Sequence, residues 1–368
     1  MSDLSLENFS TEQKVGRMFF IGIPGPELDA DTVRLLETVR PGGVCLFARN
    51  IKEARQTREL LDSISSLLGY EPFLSLDQEG GTVDRLRRIV EPMPAAGSIR
   101  SVDDAVQLAG MIAKTVRTLG FNMNFAPVVD VATEERQAFS NGLRSRTFGS
   151  SVEEVTEFAG AFLRTLQAGG CIGCLKHFPG LGGAQVDSHE ELPQVNITEE
   201  ALYNVELRPY RELFAAGDVR MVMVAHAAFP GLRLQETAQN GRLLPSSLSR
   251  AVVHGLLREE MGFNGIAITD DLEMGAILKD FGIADACRMA VQAGEDMLAI
   301  CASRDAIMTG FSAVLDAVQS GQIEQETIDL AVSRIETLRS DLPPVPEFDQ
   351  AVIDEMSAQV RVLKSRLN

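Results

Sequence analysis

Eight short apolar runs recur along this chain with longer helix-period stretches between them, and that alternation limits the fold more than any other feature of the sequence. The runs are RMFFIGI (Arg17 to Ile23), GVCLF (Gly43 to Phe47), FLSL before Asp77, FAPVV before Asp130, CIGCL before Lys176, VRMVMVAH (Val219 to His226), GIAITD (Gly265 to Asp270) and DMLAI (Asp296 to Ile300). Runs this short and this uniformly apolar predict strands buried on both faces of a parallel sheet. The intervals Lys52 to Leu67, Val102 to Leu119, Val152 to Ala168, Glu199 to Ala215 and Ser247 to Met261 have the period and length of crossover helices. The expected fold class is therefore α/β, a single (β/α)8 TIM barrel, with an open doubly wound sheet as the alternative. Beyond the eighth run, Ala306 to Val318, Gln322 to Leu338 and, after the link LPPVPEFD, Gln350 to Leu363 predict additional C-terminal helices. Residues 1–368 are expected to form one domain, with 306–368 covering the barrel.

Composition narrows the partners. With 52 acidic against 34 basic side chains the formal net charge is -18, which opposes a nucleic-acid backbone or an anionic membrane as partner. No run is long and apolar enough to span a bilayer, and MSDLSLENFSTEQKVG has no apolar core of a secretory signal, so the expected compartment is the cytoplasm. The five cysteines, at 45, 171, 174, 287 and 301, lie in apolar surroundings, which is core usage in a reducing compartment. Cys171 and Cys174 share the spacing of a redox pair but sit in a strand-like run, not at a helix start.

Residues of catalytic type fall where the apolar runs end: Asp77, Lys176, His177, His226 and Asp270. A parallel barrel builds its active site from those ends. The stretch KHFPGLGGAQVDSH, Lys176 to His189, holds two of the four histidines and closes on Asp187-Ser188-His189. A carboxylate bonded to one imidazole nitrogen fixes the tautomer and leaves the other nitrogen for proton transfer. In FLSLDQEGGTVDRL, Asp77 can accept from two sugar hydroxyls while Arg85 donates to oxygen; a helix cap and a surface arginine are the plainer readings. Glycines 80 and 81 would let that turn approach a ligand, without the spacing of a phosphate or dinucleotide fingerprint. In RSRTFG, one of Arg144 and Arg146 reaches inward, unless both belong to a solvated loop. Lys176 and His177 together can donate to vicinal hydroxyls. In ITDDLEMGAI the adjacent acids cannot share one strand face, so Asp270 is expected to point inward and Asp271 to cap the next helix, with Met274 nearby as lining or packing. His226 suits either the rim or the core, and His254 lies in a helical segment outside the chemistry. A metal hydrolase is a poor second reading, because there is no HExxH and no compact ligand cluster.

Taken in order, EQKVGRMFFIGIPG, GGVCLFARNI, DQEGGTVDRL, FAPVVDV, RTFG, KHFPGLG, DSH, MVMVAH, ITDDLEMGAI and AGEDMLAI closely resemble the family 3 glycoside hydrolases, in the bacterial β-N-acetylglucosaminidase (β-hexosaminidase) branch that recycles cell-wall fragments. The resemblance covers about the first 300 residues. It implies a (β/α)8 barrel and retaining hydrolysis of terminal β-linked N-acetylglucosamine from glycans or muropeptides, without a cofactor; a monomer with no metal is expected. Carried over by position, Asp270 resembles the nucleophile and His189 the general acid/base held by Asp187. Asp77, Arg85, Arg146, Lys176 and His177 resemble the sugar-binding set. Thr82, Leu181 and Gly183-Ala184 depart from the commonest pattern, which bears on loop closure and leaving-group preference. A phosphorylase or a chitooligosaccharide-directed enzyme of the same family remains open, and a non-catalytic sugar binder or a substrate-assisted hexosaminidase ranks below both.

Overall fold

The computed structural model describes residues 8–133, 143, 145–184, 192–238 and 241–367. Seven of the eight apolar runs contain a strand. In chain order the strands are β1 (Phe19–Gly22), β2 (Gly43–Cys45), β3 (Phe73–Ser75), β4 (Gln78–Gly80), β5 (Val83–Asp84), β6 (Met123–Asn124), β7 (Ile172–Phe178), β8 (Met221–Val224), β9 (Ile266–Thr269) and β10 (Leu298–Ile300). They form two four-stranded parallel sheets, ordered β10-β1-β2-β3 and β6-β7-β8-β9. With almost every strand residue buried, both faces of each sheet are covered, which is why the runs are continuous rather than alternating.

Side chains take over the ladder where the two sheets meet. Between β3 and β6, Asn122 N donates to Leu74 O and Phe125 N to Leu76 O, while the Asn122 and Asn124 carboxamides accept from Leu74 N and Gln78 N and donate to Pro72 O and Gln78 O. Between β9 and β10 a parallel bridge joins Ile268 to Met297. There the Asp296 carboxylate accepts from Ala267 N at 2.8 Å and Thr269 Oγ1 from Ala299 N at 3.0 Å. Backbone groups at both seams are thereby satisfied without a regular strand pair.

The fourth run departs from expectation. FAPVV is no strand: β6 lies just before it, and Pro127 has no amide hydrogen to give to a ladder. The run still reaches β7 through Val129 N to Lys176 O and Cys174 N to Ala126 O. The short antiparallel pair β4/β5 was not expected either; it folds the chain after Asp77 back on itself.

Helices flank the sheets. Val102–Thr118 and Val152–Ala168 lie against each other, each started by a serine whose hydroxyl accepts from an amide three residues on, with acids in the first turn against the positive helix end. Leu108, Ile112 and Val116 form the buried stripe of the first, where truncating Leu108 to Ala costs about 2–5 kcal/mol. Glu199 to Ala215 is helical in three pieces, because Pro209 cannot donate to the turn before it, and Leu207 N reaches Leu202 O across a wide turn instead. The C-terminal helices are Arg304–Gln319, Gln325–Ser340 and Gln350–Leu367. The last lies against Val102–Thr118, tied by Arg366 to Asp104 and Lys364 to Glu91. Thr11–Arg17, Ala30–Val39 and Ile283–Ala293 are helices that the sequence reading passed over.

Candidate active site

A cavity of about 340 Å3 opens at the carboxyl ends of the strands, and six of the expected residues line it: Asp77, Arg85, Arg146, Lys176, His177 and Asp270. They arrive from distant parts of the chain. Asp77 follows β3, Lys176 and His177 lie on β7, and Asp270 follows β9. Asp187 and His189 lie outside the described residues, as does Arg144, so their placement is not part of this geometry.

One side of the cavity is ionic. Lys176 is buried, and its Nζ donates to Asp77 Oδ1 at 2.8 Å and contacts Glu79 Oε1 at 2.6 Å. Arg85 Nη2 reaches Asp77 Oδ2 at 3.2 Å. Arg146 grips Glu79 with two parallel bonds, Nε to Oε2 at 2.8 Å and Nη2 to Oε1 at 2.9 Å. Two carboxylates thus face three cations. Burial pushes both acids up, but Lys176 with Arg85 holds Asp77 well below the usual carboxylate range, and Lys176 with Arg146 holds Glu79 at about 2. The same pairing, against burial, keeps Lys176 and Arg146 protonated. Asp77 is therefore neither a helix cap nor a surface acid. It is a fixed anion with room for hydroxyl donors.

Lys176 and His177, joined by a cis peptide, both line the cavity. His177 Nδ1 lies 2.7 Å from Asp130 Oδ2, and Leu181 N donates to the other Asp130 oxygen at 2.7 Å. Asp130 so orients the ring and the start of the glycine loop at once. With Nδ1 committed to Asp130, Nε2 is the nitrogen that faces Arg146, at 3.4 Å. His177 thus lines the cavity beside Lys176 with one ring nitrogen engaged by Asp130.

The other side is held by the backbone. Asp270 N donates to Val224 O, and Asp271 N donates to Asp270 Oδ1 at 2.8 Å. Among the described residues, the second Asp270 oxygen has no hydrogen-bond partner. Asp271 also lines the cavity and caps no helix; its Oδ1 accepts from Glu273 N at 3.0 Å and Cys301 N at 3.3 Å, closing the turn, and Met274 holds the cap position instead. Burial pushes Asp271 up to about 7, with those two amides pulling the other way. Phe47, Met223, Met274 and Cys301 supply apolar wall.

Glycines 80 and 81 serve packing rather than ligand approach. Both have positive φ, and a Cβ would come 2.1 Å from Pro94 O at Gly80 and 2.5 Å from Ala95 Cβ at Gly81. Sequence reasoning missed Glu79 and Asp130. Glu79 stands two residues after Asp77, the spacing that returns to one face of an extended segment, and Asp130 closes an apolar run as Asp77 and Asp270 do. His254 pairs with Glu259 on the outer face of the half-buried helix Ala251–Glu260, outside the cavity. Among the described residues, no three His, Cys, Asp or Glu side chains are grouped to hold a metal ion.

A parallel α/β fold that brings fixed acids, guanidinium groups and a carboxylate oxygen without a partner among the described residues into one small cavity is built like an enzyme for a neutral, hydroxyl-rich ligand. Comparison with known proteins agrees: residues 10–338 match the Glycosyl hydrolase family 3 N terminal domain, and the chain belongs to that family of glycoside hydrolases. It is similar to the β-hexosaminidase of Tolumonas auensis, 32% identical over 305 residues, covering 82% of this chain and 86% of that protein. It is 30% identical over 327 residues to β-hexosaminidase A of Pseudoalteromonas piscicida, covering 82% of this chain and 54% of the relative. Among solved structures, the family 3 β-N-acetylglucosaminidase of Paenibacillus sp. str. FPU-7 superposes with a TM-score of 0.87 at 33% identity, over 97% of this chain and 69% of that one.

Proposed function

We propose that this chain is a retaining exo-β-N-acetylglucosaminidase in which the two sheets are halves of one eight-stranded barrel and residues 1–368 act as a single catalytic domain closed by its C-terminal helices. The observation that carries the reading is the cavity itself, where Asp270 shares one space with Asp77, Arg85, Arg146, Lys176 and His177. Relatives named β-hexosaminidase and β-N-acetylglucosaminidase support the substrate class.

The reaction runs in two displacements. The unpartnered Asp270 oxygen attacks the anomeric carbon as the glycosidic C–O bond breaks, and His189 gives its proton to the departing oxygen. Water then adds to the same carbon, passes a proton to His189 and releases Asp270, so the sugar leaves with its β configuration kept. Asp187 orients His189 as Asp130 orients His177. Asp77 accepts from sugar hydroxyls while Arg85, Arg146 and Lys176 donate; because the opposing charges already fix these groups, little reorganisation is needed on binding.

For biological substrate we favour terminal N-acetylglucosamine on muropeptide fragments in the cytoplasm, acted on by a monomer without cofactor. The free, buried state of all five cysteines is in keeping with a reducing compartment. Release of aryl alcohol from an aryl β-N-acetylglucosaminide, beside the matching glucoside and with and without inorganic phosphate, tests the activity. Phosphate-independent hydrolysis of the first is expected; turnover that needs phosphate makes the chain a phosphorylase. Matched wall fragments with and without peptide test the substrate, and cleavage of chitobiose alone makes it a chitooligosaccharide enzyme.

A further inference from the structure

Behind the Asp270–Asp271 turn lies an imidazole with no part in the reaction above. His226 stands two residues past β8, has 0% solvent exposure, and is engaged at both ring nitrogens. Nε2 lies 3.0 Å from the Asp271 carbonyl oxygen. A carbonyl only accepts, so Nε2 carries the proton. Nδ1, 2.7 Å from Ser247 Oγ, then accepts from that hydroxyl. Burial lowers the pKa of the ring against the pull of Asp270, which favours the neutral tautomer that fits both bonds.

The bond acts on the Asp271–Leu272 peptide, one residue past the Asp270–Asp271 peptide whose N–H meets the Asp270 carboxylate. The turn's edges are pinned to neighbouring strands, Asp270 N to Val224 O at 3.1 Å and Leu272 N to Ala299 O at 2.9 Å. His226 holds the carbonyl between those two anchors. From the same residue, Asp271 N donates to Asp270 Oδ1 at 2.8 Å. A residue present for packing alone would fill this space with hydrocarbon; burying an imidazole and a hydroxyl there is tolerated only because each finds a partner.

We propose that His226, oriented by Ser247, is a positioning residue for Asp270: by fixing the Asp271 carbonyl it sets the Asp271 amide that holds one Asp270 oxygen, and so aims the other at the anomeric carbon. This rests on Asp270 being the nucleophile. The sugar-binding charges come from the opposite side of the cavity, so the effect falls on the attack and not on sugar binding.

The test uses His226→Phe, His226→Asn and Ser247→Ala on an activated aryl β-N-acetylglucosaminide, which needs little protonation, with N-acetylglucosamine binding measured separately and Asp270→Ala as control. His226→Phe should lower kcat/KM about 100-fold, with sugar affinity within about twofold. His226→Asn should recover most of the rate, since its amide donates to Asp271 and accepts from Ser247. Ser247→Ala should lose about fivefold. Folded His226→Phe and Ser247→Ala proteins turning over at the parental rate overturn the proposal, as does an equal loss in His226→Phe and His226→Asn with weakened sugar binding, which marks a packing role. If His226→Phe does not fold, the Asn and Ala variants decide by the same criteria. Parental turnover by Asp270→Ala would instead overturn the nucleophile reading, a separate result.

Discussion

The two sides of the cavity hold their acids by opposite means. On the β3–β7 side, Asp77 and Glu79 are answered by Lys176, Arg85 and Arg146, and their pKa values are driven down. On the β9–β10 side Asp271 is answered mainly by burial, as is Glu295, which lies before β10 and outside the cavity, and both are driven up. On the roles proposed above, the difference separates two jobs. A group that recognises hydroxyls works best with a charge that does not change with pH, whereas a turn that aims a nucleophile is held by neutral hydrogen bonds that add no charge beside it.

The comparison breaks most visibly at Asp270. Asp270→Ala should abolish turnover, by about 10^4-fold or more, without unfolding the protein, because it deletes a reacting atom rather than core volume. Asp271→Ala should be much milder. Stopped-flow release of the aryl alcohol reads the first displacement, and a normal burst from a folded Asp270→Ala protein, or reversed phenotypes for the two acids, would show the neighbours to be misassigned.

Second comes the ionic side. Lys176→Met removes the cation shared by Asp77 and Glu79 and leaves both buried with fewer partners, which costs about 3–5 kcal/mol of stability. Denaturant unfolding measures the loss. A variant of parental stability would mean that Arg85 and Arg146 suffice to hold the two acids. Sugar affinity should fall as well, since Asp77 loses the partner that fixes its orientation.

How far the sequence revealed this arrangement differs between the two sides. Asp77, Lys176 and Asp270 were visible because each ends an apolar run, and a charged residue at such a place has few reasons to be there. Glu79 was missed although it follows Asp77 at strand spacing, because the chain turns at Gly80–Gly81 and the β4/β5 pair has too few residues to show alternation. Asp130 was passed over because its role depends on His177, which lies 47 residues away. The Asp271 turn could not be read at all, since it is made by amides and carbonyls that every residue carries. For Asp187 and His189, the reading still rests on sequence alone.

Asp271 offers a smaller and pH-dependent effect. Its carboxyl is pushed from an ordinary 3.8 up to about 7, so the folded state binds the proton more tightly than the unfolded chain. Its contribution to stability is therefore complete below the unfolded value and is lost as pH rises through about 7. Asp271→Asn should remove that slope, gaining of order 2 kcal/mol on the alkaline side relative to the parent. Thermal unfolding across that range measures it, and parallel pH profiles for the two proteins would mean that the turn amides outweigh burial.

The smallest expected effect is at Glu295, which tests whether burial without countercharge has any benefit away from the cavity. Glu295, three residues before β10, is 1% exposed, and neither carboxyl oxygen has a hydrogen-bond partner among the described residues. Burial drives its pKa far above the usual range, with Arg258 opposing and Asp296 adding to the rise. Burial so favours the neutral acid and still leaves polar atoms unsatisfied in the core, at a cost of about 1–3 kcal/mol. Its sign matches that of Asp271: stability is full below the unfolded value near 4.5 and declines as pH rises toward the folded one. Glu295→Met keeps the side-chain length while removing both the titration and the unsatisfied oxygens. It should raise stability by about 1 kcal/mol at neutral pH, and more in alkali, with kcat and KM unchanged. Unfolding curves and steady-state kinetics on one preparation read both. A Glu295→Met protein that is less stable, or one that is equally stable but slower, would give this acid a partner or a role in the site and erase the distinction between a charge-balanced and a burial-governed half.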